Sequence, residues 1–309
     1  MSLPKILYPV QTLDNQLLLP AGTVLTPDTL DALVDSSKSA SSFQRCPLLE
    51  FGSVKKDMLR FLDTPPWSSI FADKDEVARL LESMETVRLA LPVLRGVVHF
   101  RDRGFYTYRH MLVVFALSTL LAMDLSEDSE VLMLEASTGP THDFGKLCVP
   151  LNVLKKKDPL TQAERTLLEH HTLAGYVLLA HYDQDPASLA AVVARDHHER
   201  RDGSGYPRGM RLNERLVEIV VASDVYDALI SKRPYRATSY DNRTALEEIT
   251  AMAETNQISW DVVKALIARN RASKPHYSEC VVSAEKRGTP PSDSAYGVIA
   301  DHEEPIEES

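Results

Sequence analysis

The chain has 309 residues, of which 44% are hydrophobic and 25% are charged. These proportions are typical of a soluble globular protein and allow one or two domains. The formal net charge is -10, which argues against a protein that binds nucleic acid polymers through many phosphate contacts. An acidic protein can still bind one small anion where cations cluster locally.

The cysteines and the apolar segments favour a cytoplasmic protein. Cys46, Cys148 and Cys280 are odd in number and far apart, which excludes a disulfide framework and predicts a reducing compartment. The N-terminal residues lack the apolar core of a signal peptide. The most apolar stretch, residues 111–123, is shorter than the roughly 20 residues that span a bilayer, so we expect a buried helix and no membrane contact.

Residues 1–70 differ in pattern from the rest of the chain. Short apolar runs interrupted at residues 20–22 predict a strand, a turn and a second strand. Thr26 followed by Pro27 is typical of the start of a helix. The paired prolines within residues 62–69 cannot continue a helix and predict a linker. We interpret residues 1–70 as a small α/β regulatory or docking module.

The pattern becomes helical from residue 73 onward. Apolar residues recur close to every 3.6 positions over 75–94, and we interpret 71–104 as a linker helix. A capping box at Thr161 and Glu164 marks the start of a later helix. Helices are also predicted at 106–124, 127–138, 162–181, 186–198, 213–230, 242–254 and 260–269.

These patterns predict a mainly α fold, with a helical bundle over residues 105–270 and the small α/β module before it. Residues 286–309 are rich in proline, serine and acidic side chains, which predicts a disordered acidic tail.

Most of the ten histidines fall between His110 and His198, and several of them adjoin carboxylates. Neutral imidazoles and carboxylates together are the ligands that many divalent metals prefer. Neighbouring residues diverge by about 100° on a helix, so adjacent ligands require a helix end or bend. Gly145 and Gly203 fit that need. Asp224 and Asp227 share a helix face that is otherwise apolar, where a metal explains two carboxylates better than unpaired buried charge does.

Four motifs carry a resemblance to a known family: THDFGK (141–146), LTQAERTLLEHHTLAG (160–175), DHHERRDGSGYP (196–207) and ASDVYDALISKRPYR (222–236). Their order and spacing resemble the HD-GYP family, a branch of the HD metal-dependent phosphohydrolases. The resemblance covers about residues 105–270 and includes the Gly205-Tyr206-Pro207 signature. It implies an HD-type helical bundle that hydrolyses cyclic di-GMP to linear pGpG, with further cleavage to GMP left open.

The resemblance also implies a centre with two divalent ions, iron or manganese, in which Asp143 bridges the ions. A hydroxide shared by the ions would attack the phosphodiester. Asp143 and Lys146 would be catalytic. The implied metal ligands are His110, His142, Asp143, His171, His197, His198 and Asp224. The implied substrate-binding residues are Lys146, Tyr206, Arg233 and Arg236.

Some positions depart from the family pattern. Tyr106 stands where some members carry a glutamate that serves a third ion, so we expect two ions, with Asp102 as the one nearby carboxylate that could add another. Val113 and Gly139-Pro140 leave the rate of turnover open. One alternative is therefore a slow or inactive module that binds cyclic di-GMP, with the Gly205-Tyr206-Pro207 loop contacting diguanylate cyclases (GGDEF proteins). Another is a phosphohydrolase acting on a different nucleotide.

Overall fold

A computed structural model describes residues 3–38, 43–126, 128, 138–232, 238–283 and 285–291. Helices dominate these residues and the strands form two short antiparallel pairs, so the predicted mainly α class is confirmed. The predicted helix at 127–138 lies outside the described residues except at 128 and 138, and the predicted tail at 286–309 lies outside them beyond residue 291.

The N-terminal part combines short strands with two helices. Its elements are β1 (Val10–Gln11), β2 (Leu17–Leu19), α1 (Pro27–Lys38), β3 (Arg45–Pro47) and α2 (Val54–Leu62). Strand β1 pairs with β2, and after a turn Val24 forms an isolated bridge with Lys5. The side-chain oxygen of Thr26 accepts a hydrogen bond from the Thr29 backbone at 3.1 Å, which caps α1 as the sequence predicted.

The single helix predicted at 75–94, within a linker helix at 71–104, is wrong. The chain forms α3 (Lys74–Glu85), then strand β4 (Arg88–Ala90), then α4 (Leu91–Arg103). Strand β4 pairs antiparallel with β3, a partner more than 40 residues earlier in the chain. Pro92 then lies in the first turn of α4, where a missing N–H costs no helical hydrogen bond. This long-range pairing overrides the helical periodicity of the sequence.

The remaining helices build the bundle. They are α5 (Phe105–Leu125), α6 (Leu151–Leu154), α7 (Gln162–Glu169), α8 (His171–Asp183), α9 (Leu189–Asp196), α10 (Arg215–Ile230), α11 (Asn242–Glu254) and α12 (Trp260–Arg269). The capping box of α7 is confirmed. The predicted helix at 162–181 divides at His170, which ends α7 and lets α8 begin at His171. Short 3-10 turns are Trp67–Ser69, Gly139–Thr141, Phe144–Cys148 and Tyr277–Glu279.

Helix α5 is the centre of the bundle. It packs against α4, α10 and α12 and also against α2 and α3. Its 21 residues are apolar enough to cross a membrane, but 83% of its most apolar window is buried inside the protein. The expectation that residues 111–123 form a buried helix is therefore confirmed, and the helix predicted at 106–124 extends one residue further at each end. Buried apolar side chains form a continuous cluster that runs from Ile6 to Cys280.

Candidate metal centre

Three helices and one turn bring the candidate ligands together beside α5. His110 lies in the second turn of α5 and is almost fully buried. Its Nε2 lies 3.0 Å from Asp224 Oδ1 of α10 and 3.4 Å from His142 Nε2. Its Nδ1 donates to Asp227 Oδ2 at 2.6 Å. The side chain of His110, in the helix predicted at 106–124, thus faces the carboxylates of Asp224 and Asp227 directly.

His142 and Asp143 lie between two 3-10 turns and not within a regular helix. A Cβ at Gly139 would lie 2.6 Å from Ser118 Oγ and 2.9 Å from Phe115 Cα, so only glycine lets this turn touch α5. A Cβ at Gly145 would lie 1.9 Å from the His171 carbonyl oxygen. The glycines therefore bring the His-Asp pair against α5 on one side and α8 on the other.

The candidate ligands form two groups of three, within each of which the ligand atoms lie within 4.8 Å of one another. The groups are His171, His197 and His198, and His110, His142 and Asp224. Asp143 lies between them. Its Oδ1 is 3.4 Å from His171 Nε2 and 3.8 Å from His197 Nε2. Its Oδ2 is 3.5 Å from His110 Nε2 and 3.6 Å from His142 Nε2. One carboxylate therefore presents one oxygen to each group.

Backbone carbonyls fix the tautomers of the buried imidazoles. Nδ1 of His142 donates to the Gly139 oxygen at 2.7 Å, and Nδ1 of His171 donates to the Leu168 oxygen at 2.6 Å. Nδ1 of His197 likewise donates to the Ala194 oxygen at 3.0 Å. Because these oxygens can only accept, each Nε2 keeps a lone pair that points inward.

The inward lone pairs fit a cation. His171 Nε2 and His197 Nε2 lie 3.3 Å apart and are both acceptors in the neutral tautomer. Two facing lone pairs in a buried site repel each other unless a positive ion lies against them. The combination of imidazole nitrogens and carboxylate oxygens suits iron, manganese or similar divalent metals. The donor set therefore fits the metal centre that the sequence predicted.

Burial keeps most of these histidines neutral. It lowers the pKa of His171 to about 4 and that of His197 to about 3. It also lowers the pKa of His142, and that of His198 well below the usual value. A metal can bind these imidazoles at neutral pH without displacing a proton from them.

In His110 and Asp143, neighbouring groups outweigh the effect of burial on the pKa. Burial acts to lower the pKa of His110, but the hydrogen bonds that its ring donates to Asp224 and Asp227, with the charge of those carboxylates, outweigh burial and raise this pKa to about 9. Burial acts to raise the pKa of Asp143, but the charge of Lys146, with further electrostatic stabilisation by the neighbouring imidazoles, holds it well below the usual value. Asp143 is therefore ionised, as a bridging ligand must be.

Of the four substrate-binding residues predicted from the sequence, Lys146 and Tyr206 lie beside the centre and the two arginines fall outside the described residues. Lys146 Nζ donates to Asp143 Oδ2 at 2.5 Å and its side chain is 19% exposed, so it borders the centre and the solvent. Tyr206 stacks on His198 with a centroid distance of 4.6 Å. Arg233 and Arg236 lie outside the described residues. Asp102 pairs with its neighbour Arg101 on the surface.

The Gly205-Tyr206-Pro207 loop is fixed beside the centre. A Cβ at Gly205 would lie 2.3 Å from the His198 carbonyl oxygen, so the loop crosses directly over that residue. The buried carboxylate of Glu199 accepts from the backbone nitrogens of Arg208 at 2.7 Å and Met210 at 3.0 Å. Glu199 therefore orders the loop, in agreement with the supporting role that its position suggests.

Two supporting residues were missed or misjudged from the sequence. Asp227 was interpreted with Asp224 as a carboxylate explained by a metal, but it hydrogen-bonds His110 Nδ1 and does not face the ligand groups' centre. Trp67 donates from Nε1 to Asp227 Oδ1 at 2.7 Å. Nothing local to residues 62–69 indicates this contact, because its partner lies 160 residues later in the chain.

Comparison with known proteins places the centre inside a matched region. Residues 100–259 match the family model of the HD domain. The chain is 37% identical over 165 residues to the cyclic di-GMP phosphodiesterase response regulator RpfG of Xanthomonas campestris, covering 51% of this chain and 43% of that protein. It is 37% identical over 149 residues to a cyclic di-GMP phosphodiesterase of Thermotoga maritima, covering 47% and 40%.

A related activity occurs among the similar proteins. The chain is 36% identical over 139 residues to 3'3'-cGAMP-specific phosphodiesterase 1 of Vibrio cholerae, covering 43% of this chain and 31% of that protein. The matched region thus spans less than half the length of each of these three relatives.

Proposed function

Because the chain belongs to the HD domain family, we propose that it is a metal-dependent phosphodiesterase that hydrolyses cyclic di-GMP to linear pGpG. The observation that carries this proposal is Asp143, whose two oxygens face two separate groups of ligands. A carboxylate in that position suits a pair of divalent ions. The names of the similar proteins favour a cyclic dinucleotide as the substrate.

We assign two ions to the centre, of iron or manganese, held by His110, His142, Asp143, His171, His197, His198 and Asp224. Bound there, the ions would lower the pKa of a water molecule and neutralise charge on the phosphate. The chain's own residues would do the rest. The ionised Asp143 would hold both ions, and the fixed imidazole tautomers would keep their nitrogens directed inward. Exposed Asp102, paired with Arg101, supports two ions and not three.

Lys146 would bind the scissile phosphate. Its ammonium group is within hydrogen-bond distance of Asp143 and still partly exposed, so a phosphate bound at the centre can reach it. A charged donor that contacts the phosphate stabilises charge as it develops on the oxygens. We therefore treat Asp143 and Lys146 as catalytic residues, with different tasks.

Arg233 and Arg236 would bind a phosphate of the dinucleotide. They follow Lys232, whose carbonyl oxygen accepts from Arg109 Nη2 at 3.3 Å, and Arg109 adjoins His110 in sequence. Lys232, the last described residue before this segment, therefore lies close to the helix that carries the first candidate ligand. Tyr206, held against His198, would stack on a base or support that histidine.

The test uses full-length protein purified without oxygen and loaded with Mn²⁺ or Fe²⁺. We expect hydrolysis of cyclic di-GMP to pGpG, no hydrolysis by Asp143→Ala, and normal hydrolysis by the surface control Asp102→Ala. 3'3'-cGAMP is assayed in parallel. A preference for it above about tenfold would make 3'3'-cGAMP the assigned substrate in place of cyclic di-GMP, and the protein would remain a cyclic dinucleotide phosphodiesterase. Tight binding of cyclic di-GMP without turnover by the loaded protein would favour the binding-module alternative.

A cytoplasmic location is also proposed, which agrees with three cysteines that are free. Docking of diguanylate cyclases on the Gly205-Tyr206-Pro207 loop is a separate proposal. The packing of that loop against His198 supports its role at the centre more directly than a docking role.

A further inference from the structure

Trp67 lies outside the matched family region and contacts a residue that supports the candidate metal centre. Its indole is 4% exposed, and Nε1 donates to Asp227 Oδ1 at 2.7 Å. The hydroxyl of Ser231 donates to the same oxygen at 3.0 Å. The other oxygen of Asp227 accepts from His110 Nδ1 at 2.6 Å. Since Asp227 is fully buried, these donors set the orientation of its carboxylate.

A second set of contacts, through Arg109 and Tyr106, connects the rings of Trp67 and His110. The guanidinium group of Arg109 lies over the Trp67 ring at 5.1 Å and over the Tyr106 ring at 5.4 Å. Tyr106 in turn stacks nearly parallel on His110, with centroids 5.8 Å apart and an interplanar angle of 12°. Trp67 is therefore connected to His110 through its N–H group on one side and through its ring face on the other.

We infer that Trp67 is a positioning residue of the metal centre, acting through Asp227 to hold His110 Nε2 toward its metal group. This inference rests on the proposed function, because it presumes that His110 binds a metal. Residues one step outside a ligand shell commonly change metal affinity about 10–100-fold. Trp67 lies one step beyond Asp227, so we expect an effect near the lower end, about tenfold.

Replacing Trp67 should weaken the binding of one ion only. Trp67 reaches the group of His110, His142 and Asp224 and has no described contact with the group of His171, His197 and His198. A tryptophan that only filled the core would instead lower the stability of the whole fold when changed. A loss of metal affinity at the His110 group alone therefore distinguishes a positioning role for Trp67 from a role in core packing.

The experiment measures Mn²⁺ binding to the full-length, metal-free protein by anaerobic titration calorimetry. Asp224→Ala removes a ligand from one group only and so identifies which binding event belongs to the His110 group. Trp67→Phe keeps an aromatic ring and removes the N–H donor. We expect its Kd to rise about tenfold at the His110 group and to stay unchanged at the other group. Trp260→Phe is the matched control, because Trp260 is the other tryptophan and is 38% exposed.

Each other result counts against a particular claim. If Trp67→Phe unfolds more easily in urea but binds both ions as the wild type does, Trp67 only packs and the inference is wrong. If the variant does not fold, Ser231→Ala removes the other donor to the same oxygen, and unchanged binding there also overturns the inference. If the wild type binds no Mn²⁺, or if Asp143→Ala binds it normally, the proposed function fails instead.

Discussion

Asp143 contacts both ligand groups, so replacing it with alanine should weaken both metal-binding events together. Its two oxygens lie 3.4–3.8 Å from four imidazole nitrogens that belong to the two groups. Loss of a residue that only supports a ligand already costs about 10–100-fold in affinity. A direct ligand to both ions should therefore contribute at least about 100-fold, or about 2.8 kcal/mol, for each ion.

The assay is Mn²⁺ titration of anaerobically purified Asp143→Ala beside Asp224→Ala, with metal content checked by elemental analysis. Asp224 belongs to one group only, so Asp224→Ala should lose one equivalent and keep the other near its wild-type affinity. Hydrolysis of cyclic di-GMP should be undetectable in Asp143→Ala. If Asp143→Ala loses only one equivalent, Asp143 does not bridge, and the reasoning from its position between the groups is refuted.

The remaining predictions concern Lys146, the proton on His110, Gly145 and the number of bound ions. Lys146→Ala should keep both ions while kcat falls about 100-fold in steady-state assays, as for loss of a transition-state donor; loss of metal would contradict its assignment to phosphate. Because the pKa of His110 is raised to about 9, metal must displace its proton. Affinity at the His110 group should therefore rise about tenfold per pH unit up to pH 9, and calorimetry in buffers of different ionisation enthalpy should detect close to one proton released. Gly145→Ala would place a Cβ 1.9 Å from the His171 oxygen, so urea unfolding should show a loss of about 3 kcal/mol or more. Asp102→Ala should retain two metal equivalents by elemental analysis, and loss of a reproducible third would refute the binuclear assignment.

The sequence predicted the features that depend on local pattern. The capping box at Thr161 and Glu164 acts within four residues, so its signal is complete in the sequence, and the structure confirms it. The motif order predicted which histidines and aspartates would meet, and the structure brings all seven together. Gly139-Pro140, which depart from the family pattern, lie in a 3-10 turn that glycine allows to touch α5.

The features that the sequence did not predict depend on distant partners. Within the helix predicted at 75–94, residues 88–90 form strand β4 because they pair with β3 at residues 45–47. The segment interpreted as a linker, 62–69, contains buried Trp67, whose hydrogen-bond partner is Asp227. A hydrophobic period or a proline pair reports the preference of one segment. Neither reports which surface that segment will meet after folding.

Helix α5 has a consequence for the growing chain during translation. Its 21 residues have the length and hydropathy of a membrane span and are buried only because other helices surround it. Two of those helices, α10 and α12, begin at Arg215 and Trp260, so the first emerges about 90 residues after α5 ends. At roughly 5–20 residues per second, a ribosome needs on the order of 5–20 s for that interval. Throughout it, the nascent chain carries an apolar helix whose covering helices have not all been synthesised.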